Sequence, residues 1–182
     1  MVEDMEMSKK MFASLIIVGM LSDVFAVLAP LHEIWHVLAS LFYGYLPQMH
    51  WGWTELASQN HTLPVCFAGI YGEALTLTVL FIVFFQKKHY MIATYLLGYL
   101  LPMSLIIIFS PTGLFMIDIE KALEIASAGT VQMIYDVWKV YYFILLSIPI
   151  GIIIHNSRVF FIRKGGNVSK NVKTSKKILT YN

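Results

Sequence analysis

The chain has 182 residues, 58% of them hydrophobic and only 13% charged, with a formal net charge of +2 and a mean hydropathy of +0.68. Soluble domains carry about 25% charged residues. A water-soluble fold of this size could not hide so much apolar surface, so lipid is the expected solvent. An ordinary soluble enzyme or binding domain is thereby excluded, no nucleic-acid partner is expected, and the length suits one compact bundle.

Before the first apolar run, Glu3, Asp4 and Glu6 precede Lys9 and Lys10. That order is not the basic start of a cleaved signal peptide, and the run that follows is too long for a signal core. Four apolar segments reach membrane length. The first runs from Met11 past Pro30 to about Tyr45, longer than the roughly 20 residues that cross hydrocarbon. It reads as one span, kinked or ended near Pro30, whose last turns reach the far interface. The second runs from Leu63 to Phe85, and the third from Tyr90 to Phe109 with Pro102 inside. A short helix is expected over Leu114 to Ala126, where Ile119, Ala122, Leu123 and Ala126 follow helical spacing. It should lie along the outer interface or tuck against the bundle. The fourth span runs from about Val137 to Ile154 with Pro149 inside. Tyr43, Tyr45, Trp51, Trp53, Tyr90, Trp138, Tyr141 and Tyr142 cluster near segment ends, as interfacial belts do.

The fold class expected is all-α: a polytopic membrane bundle of about four transmembrane helices plus one short interfacial helix. Residues 1–157 form the membrane domain and 158–182 a basic tail. Lys9, Lys10, Lys87, Lys88 and the seven Lys and Arg residues after Asn156 fall on one side of a four-span arrangement, while Leu46 to Pro64 has neither. The positive-inside rule then puts both termini in the cytoplasm and faces loops 46–63 and 110–136 outward. The tail would also meet anionic lipid. Cys66 is the one cysteine, so no disulfide within the chain is possible and the redox compartment is not legible.

Chemistry concentrates in His32-Glu33-Ile34-Trp35-His36. On a helix, residues four apart share a face, so both imidazoles can bind one Zn²⁺ with Glu33 beside it as general base. Zinc brings the pKa of a bound water toward 7. An acid near the centre of a span costs about 2.5–3.5 kcal/mol on insertion scales, and a metal would compensate such a group. A zinc site needs a third protein ligand. Asp118 lies beyond the outer end of the third span, at a depth that matches His32. Glu73 lies about ten residues into the second span, where Gly69 and Gly72 allow close helix approach. Asp118 is the first candidate and Glu73 the alternative. Asp23 is expected to pair inside the bundle, and His50 and His61 to be solvated in the outer loop. Asn60-His61-Thr62 is a formal glycosylation sequon.

At these residues the chain resembles the site-2 protease family of intramembrane zinc metalloproteases. His32 to His36 stands where that family has its HExxH helix. Phe67-Ala68-Gly69-Ile70-Tyr71-Gly72-Glu73 resembles the Ala-Gly-Pro-x-x-Asn segment that opens the next helix. Ser110-Pro111 with Ile117-Asp118 resembles the Asn-x-x-Pro…Leu-Asp-Gly segment that ends the third core helix. The resemblance covers about residues 15–125. It implies that His32, His36 and Asp118 bind zinc and that Glu33 activates water. It departs from the family at Trp35, where Gly is usual, at Ile70 and Glu73 in place of Pro and Asn, and at Ile119 in place of Gly. The third segment also lacks the family's Asn.

The function expected is a zinc-dependent endopeptidase that cleaves membrane-embedded or membrane-adjacent peptide bonds through a metal-activated water, with a membrane protein as substrate. The alternatives are a non-catalytic subunit packed with other membrane subunits in a complex, and a metal or proton conduit through His32, Glu33, Glu73 and Asp118.

Overall fold

The computed structural model describes residues 7–51, 53–55, 62–109 and 116–156, without the side chains of 116–120. The elements in chain order are α1 (Lys9–Val24), α2 (Ala29–Phe42), β1 (Gln48–Met49), β2 (Thr54–Glu55), α3 (Leu63–Gln86), α4 (Tyr90–Phe109), α5 (Met116–Ile125) and α6 (Ala128–His155). The all-α class holds. The strands are a two-residue antiparallel pair with Gln48 opposite Glu55. The basic tail at 158–182, His61, most of the sequon and Ser110-Pro111 lie outside the described residues.

α3, α4 and α6 are each long and apolar enough to cross a membrane, and α1 with α2 passes the same test as a pair bent by 54°, which makes up to four. The contacts at its two ends support that count. Met7 Sδ lies 3.7 Å from Thr94 Oγ1, near the start of α4, while His36 on α2 meets Val65, near the start of α3. Because α3 and α4 form a hairpin, those are opposite ends of the bundle. The bent pair therefore runs the full length of the bundle, and three to four apolar helices could span a membrane, as in an integral membrane protein.

The bend lies upstream of Pro30, the site expected for it. Residues 25–28 form the break, and Ala26 takes a left-handed φ of 51°. Pro30 sits in the first turn of α2, where its missing N–H costs nothing. Its ring would press on the carbonyl four residues back, at Ala26, had the helix continued. The freed Leu28 N–H donates to Tyr99 Oη at 3.3 Å. A side chain thus satisfies backbone that lipid could not.

α1 packs chiefly on α4, and α2 on α3. The α1–α4 crossing is set by Gly19 and Gly98. A Cβ on Gly98 would stand 2.5 Å from the Ile16 carbonyl oxygen, and one on Gly19 2.7 Å from the Tyr99 nitrogen. Small residues of this kind let backbones touch where no hydrophobic force drives helices together.

α6 begins at Ala128, ahead of the Val137 start read from hydropathy. Ser127 caps it by accepting from Thr130 N–H. Its 28 residues span about 42 Å, against about 30 Å of hydrocarbon. Its first turns carry Gln132, Asp136 and Lys139, with Lys139 Nζ 3.4 Å from Asp136. The helix therefore continues past the apolar window. Val131, Tyr135, Trp138, Tyr142 and Leu145 form its buried stripe. Trp138 meets Phe67 of α3 edge-on at 4.4 Å between centroids. α5 tucks against α3 and α6, with Ala122 fully buried.

Substituting Gly98→Val should force α1 off α4 and lower stability by about 1–3 kcal/mol through overpacking. Gly151→Ala, on an open part of α6 where an added Cβ meets nothing, should be close to neutral. Thermal unfolding in detergent compares the two.

Candidate metal centre

His32 and His36 lie one turn apart on α2, and both face α3. Three residues of α3, Val65, Gly69 and Glu73, stand four apart and form the stripe that meets them. At one end His36 Nδ1–H donates to the Val65 carbonyl at 2.7 Å. At the other, His32 Nδ1–H donates to Glu73 Oε2 at 3.1 Å. Between them Gly69 has no side chain, and a Cβ there would collide with Nε2 of both rings. The two Nε2 atoms turn toward each other at 3.0 Å, with the rings 62° apart.

The tautomers follow from the acceptors. A backbone carbonyl only accepts, so His36 carries its proton on Nδ1. An ionised Glu73 puts the proton of His32 on Nδ1 as well. The two Nε2 atoms are within hydrogen-bonding distance of each other, and their 3.0 Å separation also suits a shared cation. Two nitrogens about 2.0–2.1 Å from a tetrahedral zinc stand about 3.3 Å apart, close to the separation here. Metal-binding histidines also usually donate the other ring N–H to a carboxylate or carbonyl. The pair thus supplies two nitrogen donors of the kind that zinc takes. Among the described residues, no group of three or more His, Cys, Asp or Glu completes the shell.

Glu33 is 7% exposed, and its Oε2 accepts from Thr54 Oγ1 at 2.7 Å. The same hydroxyl lies 3.4 Å from the Glu33 carbonyl. Thr54 belongs to β2, so the connection from α2 to α3 folds back onto α2. His50 stacks on Trp53 at 3.8 Å between centroids and 9° between planes, which holds the turn. Thr54 is a site residue that the sequence reading missed. The signal was the β-forming, glycine-broken run His50-Trp51-Gly52-Trp53-Thr54, which suits a hairpin.

The other candidates are placed as follows. Glu73 is 2% exposed and lies on the Nδ1 side of His32, away from the converging Nε2 atoms. Asp118 lies on α5, which packs on α3 after α4 has returned the chain to the end where α3 begins. The Asp118 side chain is outside the described residues. Asp23 is half-buried at the end of α1, where its carbonyl accepts from Ala26 N–H.

Trp35 is accommodated locally. Its indole lies over Gly72, which has no Cβ to obstruct it, and Trp35 Nε1–H donates to Thr76 Oγ1 at 3.0 Å. Beside it a largely apolar groove of about 350 Å³ runs along the α2–α3 seam, bounded by Ala39, Ala68, Tyr71 and Tyr141.

No protein-family model matches the chain, no curated protein is significantly similar to it, and no solved structure matches it.

Thr54→Val removes the hydroxyl from a buried carboxylate and should cost about 1–3 kcal/mol. Thr54→Ser should retain most of the stability. Unfolding curves of both variants in detergent check the contact.

Proposed function

We propose that this chain is a zinc-dependent intramembrane endopeptidase, a divergent relative of the site-2 proteases. His32 and His36 would be two of the zinc ligands, Asp118 the third and Glu33 the general base. One observation carries the reading: two imidazoles, each tied down at Nδ1, aim their Nε2 atoms at one another, with the buried Glu33 next in sequence on the same helix. The motif explains the spacing, and the acceptors on α3 explain the aim.

Zinc supplies a Lewis acid, which polarises a peptide carbonyl and acidifies a water molecule. The remaining roles belong to the protein. Thr54 holds Glu33 Oε2, so Oε1 is the atom that takes the proton from the attacking water. Glu33 returns that proton to the departing amine as the C–N bond breaks. The groove beside Trp35 offers a membrane-embedded substrate segment an apolar surface along the α2–α3 seam.

Both termini belong in the cytoplasm on this reading. Lys9 and Lys10 share an end of the bundle with Lys87 and Lys88, and the positive-inside rule makes that end cytoplasmic. The metal centre then lies in the outer half of the bundle.

A second reading, a non-catalytic subunit of a membrane complex, draws on a different observation. Among the described residues no third donor side chain joins the histidine pair.

Purified without chelators, the protein should hold one zinc per chain by elemental mass spectrometry. His36→Ala should lose the metal. Glu33→Gln should keep it, because the glutamate is no ligand, and should abolish cleavage, because an amide does not accept the proton. A comparison of membrane-protein fragments in cells with wild-type and Glu33→Gln protein reads the second effect. Metal-free wild-type protein would defeat the site, and fragments indifferent to Glu33 would favour the subunit.

For orientation, a cysteine at position 51 in a Cys66→Ala background should react with an impermeant maleimide from outside the cell. Labelling only from the cytoplasmic side would invert the arrangement.

A further inference from the structure

The family that this chain resembles has Asn where Glu73 stands. The exchange adds one methylene and one negative charge to the middle of a transmembrane helix. Such a carboxylate is costly in lipid unless it is paired, and Glu73 is 2% exposed. Its hydrogen-bond partner is His32, through Oε2 and Nδ1 at 3.1 Å.

We infer that Glu73 is a positioning residue for the metal ligand His32, and not itself a ligand. This rests on the zinc reading above. The ring geometry carries the argument. Nδ1 and Nε2 project from opposite sides of an imidazole, so a carboxylate bonded at Nδ1 is directed away from an ion at Nε2. In that place it fixes the tautomer with Nε2 unprotonated, sets the ring plane and raises the basicity of the donating nitrogen. His36 is held in the same manner by the neutral Val65 carbonyl. The two ligands are therefore unequal: His32 has the ionic support and is the stronger donor. α3 provides both supports from one stripe, with Gly69 leaving the space between them open.

The test titrates full-length protein in detergent with Zn²⁺ against a chromophoric chelator, and with Co²⁺, whose visible spectrum reports the ligand set. Glu73→Leu should bind Zn²⁺ about 10–100-fold more weakly than wild type, the usual effect of removing such a support. Glu73→Gln still presents an oxygen to Nδ1–H and should lose much less. At saturating Co²⁺ both variants should give the wild-type spectrum, and both should retain wild-type helix content by circular dichroism. A changed spectrum in Glu73→Gln would make Glu73 a ligand and overturn the inference. Wild-type affinity in Glu73→Leu would also overturn it, by reducing Glu73 to a packing residue. Wild-type protein that binds neither metal would instead sink the zinc reading, a separate outcome because it needs no variant.

Discussion

The structure depends on one clasp: a single stripe of α3 gripping two imidazoles of α2. Val65 offers a carbonyl, Glu73 a carboxylate, and Gly69 between them offers nothing. Each of those choices constrains the neighbours. The carbonyl is available to a ring only if α2 and α3 lie in close contact. The carboxylate is tolerable at that depth only if the ring answers it. The gap survives only if no side chain occupies it. A displacement of either helix by a fraction of a turn would break all three conditions together.

The rest of the bundle keeps α3 where the clasp requires it. Tyr142 and Tyr141 on α6 donate to the Ile70 and Tyr71 carbonyls, each at 2.8 Å, on the α3 turn between Gly69 and Glu73. Trp138 fills the space beside them against Phe67 and Tyr71. In lipid, hydroxyls and backbone carbonyls have no water to turn to, so these bonds also hold the helices in register. The aromatic residues of α6 thus have a structural task, and two that read as part of an interfacial belt, Trp138 and Tyr142, are fully enclosed.

What was legible in the sequence followed from periodicity and hydropathy. The four apolar runs, the short helix near Leu114 to Ala126 and the shared face of His32 and His36 all rest on local spacing, and the corresponding elements are present. What was not legible depends on contacts between distant segments. Glu73 was the alternative to Asp118 as third ligand because its residue type and depth suit one. Its engagement with Nδ1 depends on how far α2 and α3 interpenetrate. Thr54 was invisible because its partner lies 21 residues away, and local spacing does not show that the connection returns to α2. The extent of α6 was underestimated because hydropathy marks where lipid ends, whereas the helix ends at its Ser127 cap. Pro30 pointed to a bend, but the chain made the turn earlier, at Ala26, so that the proline could start the next helix.

That break at residues 25–28 makes the first span a two-part device. A continuous helix has one rotational phase, so whatever turns its beginning toward α4 also decides where its end faces. The joint cancels that linkage. α1 is aligned by its glycine contact with α4, α2 is aligned by its histidines on α3, and the irregular residues absorb the mismatch in angle. Changes in α1 that rotate or slide it by a small amount are therefore insulated from the imidazoles. A one-residue deletion between Pro30 and His32 has no such protection, since it would swing the histidine face by about 100° around the axis of α2. The two halves of one span thus answer to different neighbours, the first to the backbone of α4 and the second to the polar stripe of α3.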